Sequence, residues 1–522
     1  MRMSLEGFIT LALISALTLA ASVVSGKEET SPEAQLASRI LEETGVKGGL
    51  IVHIGCGDGR LTAALHLNDR YLVQGLDRDE GNVERARSYI RSLGLYGKVS
   101  IDLLRGERLP YSDNLVNLLL CEGLGEIPMD EVMRVLAPGG VAYIKEGEGW
   151  IKRVKPWPKK MDEWTHYLHD ATNNAVAHDL IVGPPRHLRW VAKPLYCRSH
   201  EIDSSVSALV SARGRIFYIL DEGPLGITDE RLPSKWSLVA RDAFNGLLLW
   251  KRPLPHWGWR EWKRSELEGK DWTKLRGQRI RSPSVLPRRL VAAGDRVYVT
   301  LGYNAPVSAL DAATGKTIRT YEGTEGTDEI LFKDNMLILC VRKKTSEGKT
   351  PETILALNAD TGEALWRHDE ERILPLTLAA GRNGVFFYNS REIVGLDLKT
   401  GREMWRTPCE GAKGSRWTAA ATLVVHDGVV LFVDPRRFVA LSAKDGRILW
   451  TGSGNRGPGV ANPPDLFVAD GLVWYGGFEG VINRKKINVT TDVRKTGHAL
   501  RTGDVKRVVE AKTLITPGHH FR

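Results

Sequence analysis

The sequence predicts a multidomain chain: an α/β domain with a parallel, Rossmann-like sheet, then an all-β propeller of about six to eight blades. Three observations carry this. The phrase ILALNADTGEALWRH at Ile354–His368 recurs in weaker form from residue 238 onward. An apolar strand pattern at Leu50–Ile54 runs straight into Gly55-Cys56-Gly57-Asp58-Gly59 and then into a helical pattern. At 522 residues the chain exceeds what one hydrophobic core holds. The expected boundaries are a leader at 1–26, the α/β domain at 31–155, a linker at 156–185 and the propeller at 186–522.

Composition is that of a globular protein, 42% hydrophobic and 26% charged. The net charge of +10 is spread along the chain, a mildly basic surface rather than a nucleic-acid footprint, so no nucleic-acid partner is expected. Arg2 precedes an apolar run from Gly7 to Val24, closed by Ser25-Gly26 before the polar KEETSPE. This reads as a cleaved signal peptide, with an uncleaved N-terminal membrane anchor as the alternative. Either places the chain in the periplasm or facing it. The five cysteines show no CxxC spacing, so zinc and redox motifs are not indicated and buried free thiols are expected.

In the first domain, Ser31 caps a helical pattern that ends at Gly45. Glycines after the Leu50–Ile54 strand let backbone N–H groups approach a ligand closely. The next strand, YLVQGLD, ends at Asp77, where an acid can accept both ribose hydroxyls. Further strands are expected at 98–104, 115–123 and 141–147, with helices at 79–93 and 129–136.

The glycine loop, Asp77, LPYSDNLVNLLL at 109–120 and RVLAPGGVAYI at 134–144 together resemble class I S-adenosylmethionine-dependent methyltransferases, over about residues 38–147. The resemblance implies S-adenosylmethionine as a small-molecule cofactor. It places Gly55, Gly57 and Gly59 against the methionine part, Asp77 on the ribose, and Leu103 or a neighbour along the adenine. The chain departs from that family at three places. His53 stands where an acid is usual before the first glycine, and Asn117 replaces an Asp in the fourth strand. Cys121-Glu122-Gly123-Leu124-Gly125 stands where amino-group methylation uses Asn/Asp-Pro-Pro-Tyr. No residue stands out as a catalytic base. Only GWIKRVKPW remains for the closing antiparallel strands. A degenerate domain kept for structure or binding is the alternative, and export pulls against activity because the cofactor is cytosolic.

The junction KPWPKKMDEWTHYLHDATNNAVAHD carries His166, His169, His178, Asp162, Asp170 and Asp179. His-x-x-His spacing is compatible with a metal. A polar, hydrogen-bonded linker packed across the propeller end is the preferred reading, and no metal site is expected. Leu188-Arg189-Trp190 resembles the second strand of a repeat hairpin without its partner.

The repeats are hairpins whose turns end at Gly246, Gly315, Gly362, Gly401, Gly446 and Gly503, usually with Trp four residues later. Gly fits because the turn needs a positive φ. The pattern resembles the blades of quinoprotein dehydrogenases and of the β-barrel assembly machinery's propeller lipoprotein. Trp250, Trp366, Trp405 and Trp450 match those blades, while Arg319 and Arg507 depart. Pyrroloquinoline quinone and calcium are not expected, since adjacent cysteines are lacking and no acid is assignable to calcium. The expected role of the propeller face is to dock an envelope protein or a polymer; quinone-dependent oxidation is the remaining alternative. The Trp- and Arg-rich insert at 256–281 reads as a cap on the propeller surface or, alternatively, as a binder of an anionic polymer. Because the Trp190 segment needs inner strands from the C-terminus, a truncated chain or an open ring is expected.

Overall fold

The computed structural model describes residues 31–183, 187–194, 206–223, 234–262, 283–342, 351–411, 421–454, 464–475 and 489–515. The leader at 1–26, Cys197, residues 263–281 of the Trp-rich insert and the last residues, 516–522, lie outside the described residues. Among the described residues no helix is long and apolar enough to cross a membrane.

Helix α1 (Pro32–Thr44) starts where the Ser31 hydroxyl accepts the Ala34 N–H, and stops where Gly45 turns left-handed at φ +73°. Ala37, Ile40, Leu41 and Thr44 face the sheet. That sheet contains β1 (Gly49–Ile54), β2 (Tyr71–Asp77), β3 (Val99–Leu103), β4 (Val116–Cys121), β5 (Leu136–Glu146) and β6 (Gly149–Val154), in the order β3-β2-β1-β4-β5-β6. All neighbours are parallel except β5 with β6. Helices α2 (Arg60–Ala64), α3 (Glu80–Ser92) and α4 (Met129–Val135) complete the domain. Strand β1 is buried along its whole length, as a strand covered on both faces must be. The last parallel strand starts five residues earlier than expected, at Leu136 rather than 141. A register shift between the Val116–Leu136 and Leu118–Val141 pairs absorbs the extra residues of Leu136-Ala-Pro-Gly-Gly-Val141.

Among the described residues, six four-stranded antiparallel sheets follow, each built from strands consecutive in sequence. Their first strands, Val206–Ala212, Leu290–Ala293, Thr327–Lys333, Ala379–Ala380, Thr422–His426 and Leu466–Ala469, contact one another in succession and line the axis. The repeat turns are held by a polar first residue. Asp311 accepts the N–H groups of Ala313 and Thr314, and Gly315 closes the turn at φ +70°.

The tryptophans join the sheets. The Trp250, Trp366, Trp405 and Trp450 indoles donate to the carbonyls of Ala312, Leu398, Ala443 and Leu500 in the next sheet's turn, at 2.9–3.0 Å. Each ring lies so close over the next turn glycine that a methyl group there would meet it at 2.5–2.6 Å. Trp190 does the same over Gly246, donating to Ala243, although residues 187–194 form no strand. Where Arg319 replaces Trp, the Tyr321 hydroxyl takes over and donates to Ala359 at 2.5 Å, while the Arg319 stem covers Gly362. The described part of the insert also packs inward: Trp257 is buried, and Trp262 stacks edge-on against Trp236, Trp257 and Tyr303.

Candidate functional site

The glycine loop leaves the end of β1 with Gly55, Gly57 and Gly59 at φ +75°, +54° and +82°. Gly55 and Cys56 donate to the Leu76 carbonyl, which ties the loop to β2. Gly59 is required by packing, since a methyl group there would stand 2.9 Å from the Ala86 side chain in α3. At Gly55 and Gly57 a methyl group would meet nothing within 4 Å, so that side of the loop is open.

Asp77, at the end of β2, is brought to this loop. One carboxylate oxygen accepts the Gly57 N–H at 2.9 Å; the other accepts the Asp79 N–H at 3.0 Å and the Asn82 amide at 3.2 Å. Leu103 is the register partner of Asp77 on β3 and is half-buried beside it. Four of the five residues therefore share one end of the sheet around an open surface, with Gly59 as the packing residue behind it. Sequence reasoning missed Asn82, which fixes the carboxylate; its signal was a polar residue in the first turn of the following helix. It also missed Arg78, which donates to the Gly106 carbonyl and approaches Glu126 to 3.8 Å.

Burial dominates the electrostatics behind the loop. The Cys56 thiol is pushed up to about 12 by burial and by the neighbouring Asp77 carboxylate, so it is no nucleophile. Burial also lowers His53 to about 4, despite the opposing pull of Asp77. Its Nδ1 pairs with the Thr62 hydroxyl at 2.8 Å. His166 is lowered to about 3, again by burial. In the unfolded chain both imidazoles titrate near 6.5. Below that pH the unfolded state takes up protons that the fold excludes. Stability is therefore complete above pH 6.5 and is lost as the pH falls toward the folded values, by on the order of 3 kcal/mol for His53. Urea midpoints measured at pH 7 and pH 5 are expected to show this loss, and His53→Gln to reduce it. An unchanged slope in the variant would refute the assignment.

The propeller docks at the opposite end of the sheet. Asn117, near the start of β4, accepts the Leu50 N–H and the Asn245 amide, and donates to Asp242, all at 2.8 Å. Lys47 pairs with Asp311 at 3.2 Å. Asn117 is thus a docking residue of the domain junction, distant from the glycine loop. A cleft of about 550 Å³ opens here, between Val141 and Trp157 on one side and Arg213, Asp242 and Phe244 on the other. Its arginines, Arg213 and Arg215, are paired with Asp295, and it lies away from Asp77, so it is a groove of the domain junction separate from the glycine loop.

The junction histidines are committed elsewhere. His166 Nε2 accepts the Phe332 N–H at 3.0 Å, and its Nδ1 pairs with Thr165. His169 Nε2 pairs with Asp162 at 2.7 Å. Among the described residues no group of three or more His, Cys, Asp or Glu side chains converges to hold a metal. The four described cysteines are free and buried.

A family model described as a methyltransferase domain matches residues 51–140. Another, described as outer membrane protein assembly factor BamB, matches residues 234–451 and 350–499, together just over half of the chain. The chain is 32% identical over 113 residues to methyltransferase GfsG of Streptomyces halstedii, a match covering 20% of this chain and only 41% of that protein's length. Among solved structures it is similar to BamB from Moraxella catarrhalis (16% identity, 59% of this chain, 81% of that chain, TM-score 0.32). It is also similar to a SAM-dependent methyltransferase from Aquifex aeolicus (21% identity, 24% of this chain, 74% of that chain, TM-score 0.20). By these family matches, the chain belongs to the BamB-type propeller family and carries a methyltransferase-family domain ahead of the propeller.

Proposed function

We propose that this chain is an S-adenosylmethionine-dependent methyltransferase joined to an envelope-associated propeller that binds a partner protein or polymer. The observation that supports it best is the pairing of an open glycine loop with a prepositioned Asp77, whose carboxylate is held by three donors. Gly55 and Gly57 would admit the methionine part, Asp77 would accept the ribose hydroxyls, and Leu103 would flank the adenine. Bound there, the sulfonium supplies a methyl group for in-line displacement by the acceptor, and the protein's part is positioning. The glycine loop and the propeller lie at opposite ends of strands about 20 Å long, at about 3.3 Å per residue. An acceptor held on the propeller must therefore reach around the sheet, which favours a protein or polymer over a small molecule.

Calorimetry on the full chain tests this reading. S-adenosylmethionine and its demethylated product are expected to bind. Asp77→Asn is expected to weaken both by about a hundredfold, the weight of one or two hydrogen bonds to a charged group. Absence of heat at about 1 mM ligand would sink it.

A second reading, a non-catalytic envelope binding or assembly protein, draws support from the end of β4. There the Cys121 sulfur lies 2.9 Å from the Gly123 carbonyl, and burial raises its pKa, so this thiol is not activated. Fractionation with pull-down addresses it, and a purely cytosolic protein without partners would count against it. Quinone chemistry is not part of either reading.

A further inference from the structure

The segment between the domains does more than tether them. Its carbonyls and side chains take up one backbone N–H from the axial strand of every sheet, always at or next to that strand's last residue. Trp164 and Thr165 accept from Ser211 and Ala292 in the first and second sheets, at 2.7 and 3.0 Å. The His166 imidazole accepts from Phe332 in the third. Ala171 and Thr172 accept from Ala380 and Val425 in the fourth and fifth, at 2.7 and 2.9 Å. Asn174 accepts from Val468 in the sixth at 2.8 Å and donates back to its carbonyl at 3.0 Å. Between these, Asn173 donates to both Leu378 and Leu423, bridging the fourth and fifth sheets. Both asparagines are 2% exposed.

Each axial strand is the edge of its own sheet, so its outward N–H groups need partners once buried. Successive axial strands also contact their neighbours, but no comparable contact joins Leu466–Ala469 back to Val206–Ala212 among the described residues. Nor do the described strands of the first and last sheets share a ladder. The strap, by contrast, holds both.

We propose that residues 164–174 are an axial strap of the propeller, tying the first and sixth sheets together by hydrogen bonds where their described strands share no ladder. The segment then belongs to the propeller, although it precedes the first blade.

Hydrogen exchange on the full chain tests this. In Asn173→Ala/Asn174→Ala, peptides 464–469 and 206–212 are expected to exchange together at least about tenfold faster, with the outer strand 364–370 of the third sheet close to its native rate. Native rates in the two end peptides, or acceleration confined to 464–469, would overturn the proposal. If the double variant does not fold, Asn174→Ala alone removes the two hydrogen bonds to Val468 and leaves the Asn173 contacts in place. It is expected to give the same paired acceleration at smaller amplitude, and a change limited to 464–469 would again overturn it.

Discussion

Trp366→Ala is expected to lower the stability of the propeller by about 3–5 kcal/mol, the usual cost of emptying a buried large aromatic site. The indole is 7% exposed, packs over Gly401 of the fourth sheet and satisfies the Leu398 carbonyl. Truncation removes the contact between two sheets and leaves that carbonyl without its partner. The reciprocal change, Gly401→Ala, acts on the same contact. Its φ of +68° disfavours any side chain, and the new methyl group would stand 2.5 Å from the ring. Arg319→Ala, at the equivalent position of the second sheet, is expected to cost far less, because Tyr321 carries the hydrogen bond there. Urea denaturation followed by tryptophan fluorescence ranks the three; equal effects for Trp366→Ala and Arg319→Ala would refute the docking role.

Asp328→Asn is expected to be comparably severe, about 3–5 kcal/mol, because it removes one charge from a buried network and leaves the others. Asp328 is fully buried and pairs with both Arg289 and Arg342, the latter at 3.1 Å. Arg342 is also bound to Glu352 at 3.2 Å, and Arg288 to Glu329 at 2.8 Å. The change takes from the buried Arg289 guanidinium its Asp328 carboxylate and leaves Arg342 with Glu352. The network itself is weak evidence for stability. Replacing Asp328, Arg289 and Arg342 together by apolar residues of similar volume is expected to cost less than the single change. A denaturation midpoint for Asp328→Asn equal to that of the native chain would disprove the assignment.

Local chemistry made much of this legible. A turn that needs a positive φ announces itself as Gly, and an aromatic at a fixed offset announces the blade; both are readable within fifteen residues. The glycine loop and Asp77 were legible for the same reason, each marking the end of a strand in one βαβ unit. What escaped depends on partners far along the chain. Asn117 read as a departure from a cofactor motif, yet its partners are Asp242 and Asn245, more than a hundred residues on. Tyr321 could not be recognised as a substitute for Trp until its hydroxyl was seen at Ala359. The junction read as a polar segment across the propeller end, and it lies there; its one-to-one pairing with six sheets needed the fold.

The strap also has a consequence in time. Asn174 and Val468 are 294 residues apart, so at synthesis rates of about 5–20 residues per second the strap emerges roughly 15–60 s before its last partner exists. During that interval the strap and the earlier blades present incompletely paired backbone to the solvent and to other chains. Docking of the sixth sheet on the strap is then a late event, and the emerging chain is most exposed to aggregation or capture by a chaperone just before that sheet is made.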